Sequence, residues 1–372
     1  IANDVLGIVF SNTHDSLVRE LTEMRAMGSV PFGGRYRVID FTLSNLVNAG
    51  VTHVGVVTKN NYQSLMDHLG SGKPWDLARK RGGLFLLPPY GSAAAFGVYE
   101  GRVDALAGIL KFLERVSAEY VVMCDADIVG NIDLGPILDS HAAGGADVTI
   151  ACKRGEYPRG LGDILCVTKT RGGLIADMRL APFGQTRGLF SLDIFVMGRR
   201  FLMQLIHEAA SRNRKYFAKD VLLAGLGRYK MRAFEVTGFT AVIDGMKSYM
   251  DANMALLDKA VRAQLFDPAR PIYTKVRDDM PAKYGLGSRV SNSIIADGCV
   301  IDGEVEGCVL FRGARVEKNA SVQNCILMQD TVVGEDARLS YVITDKNVVI
   351  GENRALTGFE TYPVFISKDS KV

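Results

Sequence analysis

Along the first two-thirds of the chain, short apolar runs alternate with longer segments whose apolar side chains recur every three or four positions. The runs predict buried strands over Val5 to Phe10, Val51 to Thr58, Tyr120 to Cys124 and Val148 to Cys152. The longer segments predict helices over Leu17 to Met27, Val38 to Asn48, Tyr62 to Leu69 and Val103 to Val116. The second of these is the best marked. Pro31 and the Gly33-Gly34 pair punctuate the chain before it, and Val38, Phe41, Leu43, Leu46 and Val47 follow at helical spacing. Gly50 then supplies a left-handed stop. Strand-then-helix alternation predicts an α/β domain, a mostly parallel sheet with helices on both faces, with ligands at the C-terminal ends of the strands. Residues 70–97, rich in Gly, Pro and Arg, predict a long functional loop.

Near Val290 the period changes to about six residues, an aliphatic side chain often being followed by Gly, Asp or Asn. The repeat is visible in Ile295-Ala-Asp-Gly-Cys-Val-Ile301, in Leu310-Phe-Arg-Gly-Ala-Arg-Val316 and in Val333-Gly-Glu-Asp-Ala-Arg-Leu339. It is irregular around Glu304 to Cys308. Such hexads stack as a left-handed parallel β-helix, aliphatics inward and turn-tolerant residues at the corners. Three or four coils are expected, packed against the first domain or against a neighbouring subunit. Asp267 to Pro281, with three prolines, reads as a linker. The expected division is therefore an α/β domain over 1–265, a linker over 266–288 and the β-helix over 289–372.

The 372 residues, 48% hydrophobic and 23% charged, suit a two-domain globular protein. A formal net charge of +3 gives no pull towards nucleic acid or a membrane surface. No apolar run reaches the roughly 20 residues of a membrane helix. The chain opens on Ile1 without a methionine and without the charged start of a signal peptide. A missing true start and a cytoplasmic protein are expected. The six cysteines form no C-x-x-C pair and sit in apolar surroundings, which predicts buried, reduced thiols.

The segment Val30-Pro-Phe-Gly-Gly-Arg-Tyr-Arg-Val-Ile-Asp-Phe-Thr-Leu-Ser-Asn-Leu-Val-Asn-Ala-Gly50 resembles the signature P-F-G-G-K-Y-R-I-I-D-F-x-L-S-N-x-x-N-S-G of the ADP-glucose pyrophosphorylases, or glucose-1-phosphate adenylyltransferases. The similarity extends over nearly the whole chain. It includes Pro268 and Arg270-Pro271-Ile272 in the linker, and Lys247 to Leu257, which is similar to the family's Y-W-x-A-N-x-x-L helix. Tyr99, Gly101, Asp104 and Ala105 match the W-Y-R-G-T-A-D-A segment, and Asp127 matches the aspartate that carries magnesium. Asp127 reads equally well as a strand-end residue capping the next turn. Gly33, Gly34, Asp40, Ser44 and Asn45 serve as readily to cap and pack the helix as to bind anything.

Transfer of a nucleotidyl group needs backbone N–H groups close to a triphosphate, a cation over the developing charge and an acid for magnesium. The family meets this need with a loop G-G-x-G-T-R-L and a following R-A-K-P. Aligned without gaps from Arg25, the loop glycines fall on Asn12, Thr13 and Asp15, and the catalytic arginine on Leu17. Met27 replaces the lysine of R-A-K-P, and Arg25 remains. The adenine-recognising glutamine falls on Lys59, and the sugar-binding pair of F-V-E-K-P on Leu180 and Ala181 of Met178-Arg-Leu-Ala-Pro182. The acid of D-V-G-T falls on Val242, with Asp244 two residues away. The activator-linked lysine before Arg25 is Met24. His14, in the altered loop, reads as structural for want of a positioned partner.

These losses resemble those of the family's diverged paralogue, the GlgD-type subunit that accompanies the catalytic subunit in low-GC Gram-positive bacteria. The resemblance implies a non-catalytic regulatory subunit that pairs with the catalytic ADP-glucose pyrophosphorylase in a heterotetramer. No cofactor is then required, and magnesium at Asp127 or Asp244 is at most vestigial, like the pocket of Arg25, Lys59, Tyr99, Gly101 and Asp104. Two alternatives stand beside it. One is an active nucleotidylyltransferase with Asp127 and Asp244 for magnesium and Arg19, Arg25 or Lys59 for phosphates. The other is a module that senses a sugar-phosphate or nucleotide effector in the old cleft. A hexapeptide-repeat acyltransferase is disfavoured by the short repeat region, which contains no histidine.

Overall fold

The computed structural model describes residues 4–89, 99–162, 164–181 and 184–372. Its N-terminal domain is built on a nine-stranded sheet. The strands in chain order are β1 (Val5–Phe10), β2 (His53–Val57), β3 (Gly83–Leu87), β4 (Tyr120–Asp125), β5 (Val148–Glu156), β6 (Leu165–Lys169), β7 (Ile175–Leu180), β8 (Arg187–Gly198) and β9 (Met231–Val236). The spatial order is β7-β6-β8-β4-β1-β2-β3, with β5 lying along β8 and carrying β9. β1 pairs in parallel with both β2 and β4, while β8 runs antiparallel to β4 and β5. Side chains alternate across β1. Leu6, Ile8 and Phe10 enter one hydrophobic cluster and Val5 and Val9 the other, as a sheet covered on both faces requires.

α1 (Val38–Asn48) has both ends as predicted. Asp40 accepts the Arg37 backbone N–H at 2.9 Å and closes its first turn. Gly33 and Gly34, at φ +61° and +85°, form the turn of a small hairpin ahead of it. A Cβ on Gly33 would come within 2.9 Å of Leu256 Cδ1. Ser44 exchanges hydrogen bonds with Tyr273, Asn45 donates to the Gly130 carbonyl and Asn48 to that of Pro271, so α1 anchors the linker.

Three elements differ from expectation. The predicted helix over Leu17 to Met27 is broken into single turns at Asp15–Val18, Arg19–Thr22 and Met27–Ser29. Side-chain bonds compete with its ladder: Thr22 donates to the carbonyls of Asp15 and Val18, and the Met27 N–H goes to the Asp15 carboxylate. The predicted loop over 70–97 contains β3, whose apolar run Leu84 to Leu87 adds a parallel edge strand beside β2. Residues 90–97 of that loop lie outside the described residues. The helix predicted over Val103 to Val116 breaks at Ile109 into α2 (Arg102–Gly108) and α3 (Leu110–Arg115).

The C-terminal region is a left-handed parallel β-helix with three five-stranded faces, so five coils rather than three or four. One face steps from Lys283–Tyr284 through Val300–Ile301, Arg315–Val316 and Val332–Val333 to Val349–Ile350. Ile301, Val316, Val333 and Ile350 stack inside it. Asn319, Asp336 and Asn353 take left-handed backbone at successive corners, with φ between +56° and +58°. A separate cluster joins the domains: Val18, Leu21, Met27, Phe32 and Phe41 pack with Val309, Phe311, Ile326, Met328 and Ile343. The β-helix therefore buries its outer apolar face against its own α/β domain. All six cysteines are buried and unbridged.

Candidate functional site

The C-terminal ends of β1, β2 and β4 open into a cleft of about 1280 Å³. Its lining includes the loop Ser11 to Ser16, Thr58 to Asn61 after β2, Tyr99 to Arg102 at the start of α2, Leu180, Asp193, and Tyr216 to Lys219. No helix among the described residues is long and apolar enough to cross a membrane.

The loop after β1 is sewn together by its own side chains. Asn12 Oδ1 accepts from the Lys59 N–H at 2.8 Å, and its Nδ2 donates to Asp15 Oδ2 at 2.7 Å and to the Asn60 carbonyl at 3.0 Å. Asp15 Oδ1 accepts the Met27 N–H at 2.8 Å. Both carboxylate oxygens of Asp15 are thus engaged within the loop. Burial pushes its pKa up to about 6, against the hydrogen bonds of Asn12 and Met27 and the charges of Lys59 and His14.

Behind the loop lies a cluster of three carboxylates and two cations. Asp125 is the last residue of β4, and Asp127 follows two positions on. Asp193 enters from a bulge in β8, where the register slips between Ser191 and Ile194 and its own φ is +55°. Arg102 Nη2 bonds both oxygens of Asp125, at 2.7 and 2.6 Å, and lies 3.6 Å from Asp193. Its guanidinium lies against the rings of Phe10 and Phe195, at 4.9 and 5.4 Å from their centroids. His14, held in a left-handed conformation, places Nδ1 2.7 Å from Asp127 Oδ2. Burial alone would lower the His14 pKa. The hydrogen bond to Asp127 and the charges of Asp127, Asp125 and Asp193 together outweigh it and raise the value to about 9, so the ring is an imidazolium at neutral pH. Burial pushes the Asp125 carboxyl up, with Asp127 and Asp193 adding to it and Arg102 opposing.

His14, Asp125 and Asp127 bring one donor atom each to within 4.8 Å of one another. The set does not fit magnesium. That ion asks for oxygen donors around open, water-filled positions, whereas Asp127 Oδ2 is spent on an imidazole and both oxygens of Asp125 on a guanidinium. Asp244 is not among these three donors: the Ile243 N–H before it bonds the Asp127 carbonyl at 2.8 Å, and Asp244 Oδ2 accepts the Gly160 N–H at 2.7 Å.

The residues singled out in the sequence divide. Asn12, Thr13, Asp15, Lys59, Tyr99, Gly101 and Leu180 line the cleft. Gly101 is required by close packing, since a Cβ there would meet the Lys215 carbonyl oxygen at 2.2 Å. Arg25 is carried out of the cleft and pairs with Asp345 of the β-helix at 2.8 Å. Met27 is 0% exposed in the core between the domains. Leu17 and Ala181 lie off the cleft lining, Ala181 against the second hydrophobic cluster, and Pro182 lies outside the described residues. Asp104 also lies off the lining, its Oδ2 accepting the Glu100 N–H at 3.3 Å. Asp125, Asp193 and Arg102 were not legible as site residues, and His14 has the positioned partner that its sequence context did not reveal. The two-residue spacing of Asp125 and Asp127 at a strand end was the available signal. Asp193 is brought in only by long-range strand pairing.

A parallel α/β sheet with a cleft at its strand ends, followed by a hexad β-helix, defines a nucleotidyltransferase domain joined to a hexapeptide-repeat domain. Residues 15–176 match the nucleotidyl transferase family, and residues 280–361 match the GlmU-like C-terminal hexapeptide family. The chain is 35% identical over 326 residues to the glycogen biosynthesis protein GlgD of Bacillus subtilis, covering 86% of this chain and 83% of that protein. It is 35% identical over 323 residues to the glucose-1-phosphate adenylyltransferase of Thermotoga neapolitana, covering 86% of this chain and 76% of that one. The chain belongs to the family formed by the glucose-1-phosphate adenylyltransferases and the GlgD proteins.

Proposed function

We propose that this chain is a non-catalytic regulatory subunit of glucose-1-phosphate adenylyltransferase, acting in glycogen biosynthesis. Its partner is the catalytic subunit, which joins ATP and glucose 1-phosphate into ADP-glucose and diphosphate within a heterotetramer. The observation that carries the reading is the loop after β1. Where a triphosphate needs bare backbone N–H groups, Asn12 and Asp15 fill the loop with side-chain bonds. The positions matched to the family's arginine and lysine are Leu17 and Met27, and Met27 is buried between the domains. Loss of such cations removes several kcal/mol of transition-state stabilisation.

The fold is kept while the transfer chemistry is not, which suits a subunit retained for assembly and control. It acts by favouring the partner's active conformation through contacts between subunits, a coupling of about 1–3 kcal/mol in ordinary cases. The test is ADP-glucose formation by this chain alone, by a catalytic subunit alone and by the two co-expressed. The chain alone is expected to be silent and the mixture to exceed the catalytic subunit or to change its effector response. Appreciable turnover by the isolated chain would sink the reading.

A further inference from the structure

We infer that two built-in cations, Arg102 and His14, stand in the cleft in place of a divalent metal, so that the cleft takes its ligands without one. Asp125 is buried, and both of its oxygens are bound by a single guanidinium nitrogen, at 2.7 and 2.6 Å. Thr13 Oγ1 donates to the same carboxylate at 3.2 Å. The guanidinium cannot swing aside freely, because the rings of Phe10 and Phe195 lie against it and Asp193 stands 3.6 Å away. Asp127 is buried as well, and its Oδ2 is held by His14 Nδ1 at 2.7 Å.

A divalent ion would meet both oxygens of Asp125 and Oδ2 of Asp127 already held by cations. Oδ1 of Asp127 alone offers one donor on a carboxylate whose charge the imidazole neutralises, and a second donor from the cluster requires displacing Arg102 or His14. Displacement would also strand Arg102 among buried groups without its carboxylate. The cations therefore do the neutralising that a metal would otherwise do, and a phosphate-bearing ligand in the cleft has no metal bridge to Asp125 or Asp127. This inference stands on the cluster alone and does not need the regulatory reading to hold.

Manganese, followed by the paramagnetic resonance signal of the free ion, is the probe for the full chain. The wild-type protein is expected to bind no more Mn²⁺ than the Asp127→Asn variant does. Removing both cations, in a His14→Ala/Arg102→Thr variant, is expected to open one Mn²⁺ site at least ten-fold tighter than any in the wild type, and adding Asp127→Asn is expected to abolish it. A stoichiometric wild-type site that Asp127→Asn removes would overturn the inference. So would a double variant that is folded by circular dichroism and gains no Mn²⁺. Should the double variant not fold, His14→Ala alone is read in the same way: gained Mn²⁺ supports the substitution of cation for metal, and none overturns it.

Discussion

The cleft and the junction between the domains both hold buried charge, and they use it differently. In the cleft, Arg102 and His14 are bonded to Asp125 and Asp127 within one domain, and the result is a cluster turned in on itself. At the junction, Arg25 from the α/β domain meets Asp345 from the β-helix, surrounded by the apolar cluster of Met27, Phe32, Phe41, Phe311 and Met328. A single stretch of chain serves both places. Residues 11–16 line the cleft, residues 25–32 build the junction, and Asp15 ties the two by accepting from Asn12 on one side and from the Met27 N–H on the other. One segment thus serves the cleft at one end and the packing between the domains at the other. It also leaves the cleft loop directly bonded to the surface where the domains meet.

The largest effect should come from breaking the junction pair. Side chains of Arg25 and Asp345 are only 4% and 6% exposed. Asp345→Ala strands a buried guanidinium and should cost about 3–5 kcal/mol in urea unfolding. An Arg25→Met/Asp345→Leu double variant should regain most of that, because a buried pair replaced by apolar side chains is often neutral. A single variant within 1 kcal/mol of wild type, a small value on this scale, would show that the apolar cluster holds the junction without the pair. Next in size is Met27→Lys, which restores the residue type of the family's R-A-K-P. Here it places an ammonium in a core position that is 0% exposed, and it should destabilise by roughly 3 kcal/mol. ADP-glucose assays of the same variant should stay at background. Measurable turnover would mean that the position still reaches the cleft.

How much of this was legible from residues alone follows from the range of the interactions. β1 and α1 were readable because their apolar periods are local and their ends are marked by Gly50 and by the run from Val51. The helix predicted over Leu17 to Met27 is broken although its apolar period is genuine, because the Thr22 hydroxyl and the Asp15 carboxylate take bonds that its backbone ladder would use. β3 was hidden by the glycines and arginines before it; Gly82 and Gly83 carry positive φ and turn the chain into an edge strand. The hexad repeat was plain where it is regular. The coil count fell short because the first rung, Lys283–Tyr284, has little aliphatic signal and lies within the stretch read as linker. The carboxylate cluster was the least readable part, since Asp193 joins it through a bulge in an antiparallel strand.

The smallest of the three effects is the pH dependence that His14 contributes from the cleft. His14 has a folded pKa of about 9 against an ordinary 6.5. Protonation is therefore favoured in the folded state. The stability this contributes is fully present below pH 6.5, falls as pH rises through the interval, and is gone above about pH 9. The rise from 6.5 to about 9 corresponds to about 3.5 kcal/mol at about 1.4 kcal/mol per pKa unit, and solvent at the partly exposed ring screens it to about 2–3 kcal/mol. Burial pushes Lys346 at the junction down to about 7, a contribution of opposite sign common to both proteins. The effect of His14 is therefore read as the difference in urea-unfolding stability between the wild type and His14→Ala, which should shrink as pH rises from 6.5 to 9. Asp345→Ala, by contrast, should lower stability without removing the part of the slope that His14 contributes, because the carboxylates acting on His14 are Asp127, Asp125 and Asp193 and not Asp345. If both variants lost the slope, the cleft and the junction would form one electrostatic unit coupled through Asp15. If neither did, the imidazole would be neutral in the fold and its bond to Asp127 an uncharged one.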